Sequence, residues 1–249
     1  MEFVQLQKRD GIATLTLGRG KVNALNGAVV DEIRASLKSL EHDPEVKSVI
    51  LTGAGKFFSF GFDVPEFLSF DKAQFSQFLT GFTDLYTYLF LYPKPVVAAL
   101  NGHTVAGGCM LALACDYRVM VTGKARISLN ELGFGASVFA GITEMLRFTV
   151  GSANATKVLY SGSMYSAEEA NNIGLIDEVA AEPDLMNAAF KMASTLGSKH
   201  PPAFAGIKSL LRKTIAEDMM RREKESVREF VDIWYSEHTW ANLQNIRIV

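Results

Sequence analysis

The chain has 249 residues, 48% of them hydrophobic, with 25 basic against 27 acidic side chains and a formal net charge of -2. That is ample apolar material for one large domain, or one domain with an appendage, and it leaves no electrostatic footprint for a nucleic-acid partner. No apolar run reaches membrane-spanning length, so no membrane partner is expected.

In chain order, Phe3 to Gln7 and Ile12 to Leu17 flank Arg9-Asp10-Gly11, the pattern of a hairpin around an Asp-Gly turn. Asn23 to Asn26 reads as a loop before a helix capped near Asn26, with Val29, Val30, Ile33, Leu37 and Leu40 at core-facing spacing. The apolar strand Val46 to Leu51 runs into Thr52-Gly53-Ala54-Gly55 and a glycine-bearing turn, Lys56 to Pro65. Phe75, Phe78, Leu79, Phe82, Leu85, Tyr86 and Leu89 then recur at helical spacing until Pro93, a stripe that reads as core.

Val96 to Leu100, bounded by Pro95 and Asn101-Gly102, is a buried strand by pattern, and Cys109 to Cys115 a buried helix. Gly107-Gly108 falls where that helix starts, and there the first backbone N–H groups lack partners and face the positive end of the helix dipole. Two glycine-bearing turns after two apolar strands can present two N–H groups to one oxygen. The same glycines would equally serve close packing of helix on strand. Cys109 and Cys115, six residues apart on one apolar helix, do not face each other and read as reduced core thiols.

Tyr117 to Thr122 is a further strand, turning at Gly123-Lys124. Ser137 to Val150 and Ala153 to Ser161 read as helices parted by Gly151, and Ser166-Ala167-Glu168-Glu169 as a capping box whose helix Gly174 ends. Alternating strand and helix patterns predict an α/β fold with a parallel core. Past Pro183 only helix remains: Leu185 to Gly197, Ala203 to Glu217 after Pro201-Pro202, and a charged helix to about His238. The N-terminus lacks a leader pattern, and Arg247-Ile248-Val249 is not a peroxisomal address, so a cytoplasmic protein is expected.

Five ordered motifs resemble the crotonase (enoyl-CoA hydratase/isomerase) superfamily: Asn23 to Asn26; Phe58 to Asp63; Pro95 to Gly102 with Ala106-Gly107-Gly108; Cys115 to Arg118; and Ala125 to Glu131 with Gly135, followed by Ala170 and Gly174 to Asp177. The resemblance implies a crotonase-like spiral of ββα repeats over residues 1–195. A helical C-terminal oligomerisation region, 196–249, would follow, giving a homotrimer or homohexamer. It implies an acyl-CoA substrate whose coenzyme A is part of the substrate, with no separate cofactor and no metal. Coenzyme A would lie against Asn23, Ala24 and Leu25 and against Ser59, Phe60, Gly61 and Asp63, with Lys21 reaching a phosphate and Gly108 and Met110 beside the acyl group. The basic cluster Lys208, Arg212, Lys213, Arg221, Arg222 and Lys224 alternates with acids and reads instead as a solvated helix face.

By motif position the backbone N–H groups of Phe62 and Gly107 form an oxyanion hole for a thioester enolate. Hydration in this superfamily uses two carboxylates. The first stands three residues after the oxyanion glycine, where this chain has Met110; the second matches Glu131. One carboxylate suffices for a proton shift, given an apolar setting that Leu129, Leu132, Phe134 and Phe139 could supply. Together with the motifs around Gly107, Cys115 and Glu131, this resembles delta-3,delta-2-enoyl-CoA isomerase. Alternatives are a hydratase with a second acid such as Glu144, a thioester hydrolase, a decarboxylase, or a non-catalytic acyl-CoA-binding oligomer. Asp63 and Asp116 read as structural, and His103 as a loop residue.

Overall fold

A computed structural model describes residues 1–246; the C-terminal tripeptide read above as no address lies outside them. The hairpin forms as expected. Strands β1 (Val4–Arg9) and β2 (Ile12–Leu17) pair antiparallel across Asp10 and Gly11, both at positive φ. Helix α1 (Gly27–Glu41) starts where Asn26 accepts the Val29 N–H and buries the predicted stripe.

Three successive turns of chain then follow one plan. Strand β3 (Ser48–Gly53), strand β4 (Phe57–Ser59) and helices α2 (Val64–Phe67) and α3 (Lys72–Phe90) make the first. Strands β5 (Val96–Leu100) and β6 (His103–Val105) with α4 (Gly107–Ala114) make the second. Strands β7 (Tyr117–Val121) and β8 (Ile127–Ser128), a 3-10 turn at Glu131–Phe134, and α5 (Ala140–Ser161) make the third. Each turn sends its first strand to a large sheet and its second to a small one. With α6 (Ala167–Asn172) and β9 (Glu178–Ala180) included, the large sheet has the order β1-β2-β3-β5-β7-β9, parallel beyond the opening hairpin; the small sheet is β4-β6-β8, also parallel. This is the expected ββα spiral. The short strands of the small sheet are unexpected: β4 lies in a stretch read as a turn and β8 in a motif given no secondary structure, and His103 opens β6, with its ring 5.2 Å from that of Phe57, instead of lying in a loop.

Helix α7 (Leu185–Gly197) packs on β3 and β5, and α8 (Pro201–Trp234) crosses α3 and α5 before α9 (Glu237–Leu243). The two helices expected after Pro202 are one, because no residue between Gly206 and Trp234 breaks the pattern. Among the described residues no helix is long and apolar enough to cross a membrane.

One part of the basic cluster departs from the solvated-face reading. Lys208 and Arg212 are buried, 4% and 7% exposed, because their side of α8 lies on the sheet ends. Asp116, after α4, accepts from Lys208 Nζ at 2.7 Å, from Arg212 at 3.2 Å and from the Val96 N–H at 2.8 Å. Burial presses the Lys208 pKa down to about 8 against the pull of Asp116. Removing the shared acceptor strands two buried cations, so Asp116→Ala is expected to cost about 3–5 kcal/mol in urea unfolding, and a loss under about 1 kcal/mol would deny this network its role.

Candidate active site

Where the two sheets meet α4, the chain makes two close approaches that glycine permits. A Cβ on Gly61 would stand 3.2 Å from the Gly107 nitrogen and 3.0 Å from the Val105 oxygen, so the turn 61–62 lies against the start of α4. A Cβ on Gly108 would stand 2.4 Å from the Ser59 oxygen, so this second glycine serves packing of helix on strand. Ala106, just before α4, holds φ 49° and ψ -121°, a strained setting for a residue with a Cβ. Its N–H bonds the Ser128 oxygen and its carbonyl accepts from Met110, which together fix the direction of the next N–H.

The N–H groups of Phe62 and Gly107 have no acceptor among the described residues. Phe62 bridges Leu25 through its neighbours, Leu25 N to Gly61 O and Asp63 N to Leu25 O, which turns its own N–H away from that strand. Its ring lies over Gly107 and packs edge-on against Phe67, Phe78 and Phe82. The aromatic stripe of α3 is therefore core, as expected, and reaches the site only through Phe62.

A cavity of about 390 Å³ opens beside these groups, walled by Phe60, Phe62, Val105, Ala106, Met110 and Glu131, with Phe230 and Trp234 from α8 closing it. A larger open cleft of about 870 Å³ lies between α3 and α8; charged side chains such as Lys72, Asp84 and Arg228 edge a mostly apolar lining, and it shares no lining residue with the smaller cavity.

Glu131 is 3% exposed and is the one titratable residue lining the smaller cavity among the described residues. Neither carboxylate oxygen has a hydrogen-bond partner. Burial pushes its pKa up to about 8, and its own backbone N–H offsets only part of the rise. Leu129 and Phe139 are buried and Phe134 lines the cavity, as the apolar setting required; Leu132 instead turns outward, 57% exposed. Met110 lines the wall three residues after Gly107 and is 1% exposed. Cys109, fully buried, has its thiol pushed far up by desolvation and by Glu131, so it stays neutral.

Of the other expected site residues, Phe60 lines the cavity and is partly exposed. Lys21 is exposed; Ala24 and Leu25 are buried beside the 61–63 turn. Asn23 donates to the Ala54 and Phe57 oxygens, and Ser59 donates to the Asn23 oxygen, so both side chains tie loops together. Asp63 caps α2 and pairs with Arg19 at 2.6 Å. Glu144 does not line the cavity; it pairs with Arg222 at 2.7 Å.

The contribution of α8 is the part missed from sequence, although Val227, Phe230, Val231 and Trp234 form an apolar i, i+3, i+4, i+7 stripe within the charged helix.

The family model described as enoyl-CoA hydratase/isomerase matches residues 7–242. A short-chain-enoyl-CoA hydratase of Clostridium acetobutylicum is 35% identical over 202 residues, 80% of this chain and 77% of its own length. The mitochondrial enoyl-CoA delta isomerase 1 of Mus musculus is 30% identical over 230 residues, 92% of this chain and 80% of its own. The crystal structure of human mitochondrial delta3-delta2-enoyl-CoA isomerase superposes with a TM-score of 0.94 at 27% identity, covering 98% of this chain and 96% of that one. Two unpaired N–H groups, a cavity with one buried carboxylate and this end-to-end match agree: the chain belongs to the enoyl-CoA hydratase/isomerase family.

Proposed function

We propose that the chain shifts the double bond of a 3-enoyl-CoA to the 2 position. The observation that carries the reading is the lone carboxylate, Glu131, in a cavity that Phe62 and Ala106 also wall, beside a chain that leaves the Phe62 and Gly107 N–H groups unpaired, with Met110 in the place of a second acid. The ionised carboxylate takes a proton from the carbon beside the thioester. The electron pair moves onto the thioester oxygen, where the Phe62 and Gly107 N–H groups stabilise it, each such donor being worth about 3–4 kcal/mol where one has been removed. The protonated Glu131 then returns the proton two carbons further along, and the double bond ends conjugated to the carbonyl. Water addition needs a second group to activate water, and Met110 cannot do so.

Coenzyme A reaches the cavity along 21–25 and 59–63, which lie side by side through the Leu25–Phe62 bridge. The homotrimer or homohexamer implied by the family is supported by an uncovered apolar face of α8, where Ile207, Leu210 and Leu211 are 61%, 86% and 58% exposed. Two buried free thiols suit a cytoplasmic, reducing setting.

The test is a paired assay of the purified protein, following 3-enoyl-CoA isomerisation and, separately, water addition to a 2-enoyl-CoA. Isomerisation is expected to exceed hydration by about a hundredfold or more, the share that one well-placed acid or base contributes. Hydration at a comparable rate would replace this reading with the hydratase one. Because Glu131 must be ionised in the free enzyme, kcat/KM should rise with pH and level off above about pH 8. A plateau already reached near about pH 5 would mean that an ordinary carboxylate is the base.

A further inference from the structure

The segment carrying Glu131 has little structure of its own to hold it. From Glu131 to Phe139 the backbone bonds to other backbone only at short range, Gly133 N to Asn130 O, Gly135 N to Leu132 O and Ala136 N to Glu131 O, before α5 begins. Phe139, at the start of α5, offers no side-chain cap, so the first N–H groups of that helix must find acceptors elsewhere.

They find them on α8. Ser226 Oγ accepts the Ala140 N–H at 3.0 Å and Glu223 Oε2 accepts the Gly141 N–H at 2.9 Å, while the other Glu223 oxygen accepts the Tyr86 hydroxyl of α3 at 2.8 Å. A Cβ at Gly141 would stand 2.6 Å from both Glu223 Oε2 and the Tyr86 side chain, so this glycine is what admits the carboxylate. In the middle of the segment, Thr239 of α9 donates to the Gly135 oxygen at 2.7 Å and Asn242 to the Phe134 oxygen at 3.2 Å. Between these ties the Phe139 and Phe230 rings pack with centroids 4.5 Å apart.

We infer that Glu223, with Thr239 at mid-segment, is a positioning residue for Glu131: the C-terminal helices clamp the middle and the far end of the segment that aims the candidate base into its cavity. The inference rests on the reading of Glu131 as the base. It gives the last two helices a part in the chemistry, since the arm that places Phe230 and Trp234 on the cavity also sets the carboxylate facing them. Glu223 is faced by Tyr86 from α3, itself near Asp84, and by Arg222 and Ser226 on its own helix. Burial raises its pKa, while Tyr86, the Gly141 N–H, Ser226 and Arg222 pull it back. Tyr86, held well above its ordinary value, remains a donor throughout.

A merely structural Glu223 would change stability alone; a positioning one changes Glu131. The experiment follows the Glu131 carboxyl titration by 13C NMR in protein labelled at glutamate, assigned by its loss in Glu131→Gln, in wild type, Glu223→Gln and Thr239→Val. Melting temperature and isomerase kinetics are measured alongside. Loosening the segment lets water reach the carboxylate, so its midpoint is expected to fall from about 8 by about one pH unit or more. The value of kcat should fall about tenfold with KM within about twofold, the mark of misplacement. If Glu223→Gln does not fold, Thr239→Val, which deletes one hydroxyl, carries the test. Folded variants in which Glu131 titrates as in wild type overturn the inference, whatever their melting temperature. The titration needs no turnover, so a wild type inactive on 3-enoyl-CoA would sink the isomerase reading and leave the clamp still tested.

Discussion

Glu131→Gln is expected to fold and to isomerise 3-enoyl-CoA at least about a thousandfold more slowly than wild type, within the range that general acid–base groups supply. Glutamine keeps the size and planarity of the side chain but can neither accept the proton nor return it. The Phe62 and Gly107 N–H groups depend on Gly61, Ala106 and Ser128 and not on residue 131, so enolate stabilisation should survive while proton transfer fails. For the same reason KM should move little, since the thioester oxygen keeps its donors. The loss should also appear in exchange of the proton beside the thioester with deuterium from solvent, an earlier step than double-bond transfer. Activity within about tenfold of wild type would mean that another base operates, at odds with a cavity lined by no second titratable group among the described residues.

Much of the fold was open to reading because its signals are local. Ser48–Gly53 and Val96–Leu100 are buried at every position, and continuous apolar runs are what a parallel sheet covered on both faces requires. Asn26 and Ser166 cap helices as their spacing announces, and Gly151 breaks α5 at φ 75° where a break was expected. The small sheet was not legible. Its strands are three, three and two residues long, and their partners come from successive turns of the spiral, so no local period marks them. Charge misled for the same reason. Lys208 and Arg212 look solvated beside neighbouring acids, but their partner Asp116 lies about ninety residues away.

The site divides in the same manner. Glu131, Met110, Phe62 and Gly107 stand in motifs and could be named from sequence. Phe230 and Trp234 stand in no motif, and only the crossing of α8 over α3 and α5 brings them to the cavity. The Arg222 that pairs with Glu144 belongs to that same crossing helix.

The variant that loses activity is also expected to gain stability, by an amount that grows with pH. In wild type the Glu131 pKa is raised from an ordinary 4.5 in the unfolded chain to about 8 in the fold. Between those values the folded state binds more protons than the unfolded one, so stability falls as pH rises through that window. The contribution is intact below about pH 4.5, where both states hold the proton, and is lost by about pH 8, where the buried carboxylate must ionise without a hydrogen-bond partner. At about 1.4 kcal/mol for each tenfold change, the ceiling on that loss is about 5 kcal/mol, and a few kcal/mol is the expectation once the site relaxes around the charge. Glutamine does not titrate. Urea unfolding of wild type and Glu131→Gln should therefore give similar stabilities near about pH 5 and a clear advantage for the variant near about pH 8, widening steadily between them. Parallel curves across that range would show that Glu131 ionises in the fold as easily as in the unfolded chain, and with that the apolar setting proposed to make it a base would be lost. A widening gap would instead show that the protein holds its base at the expense of its own stability, as expected for a carboxylate kept buried for reaction.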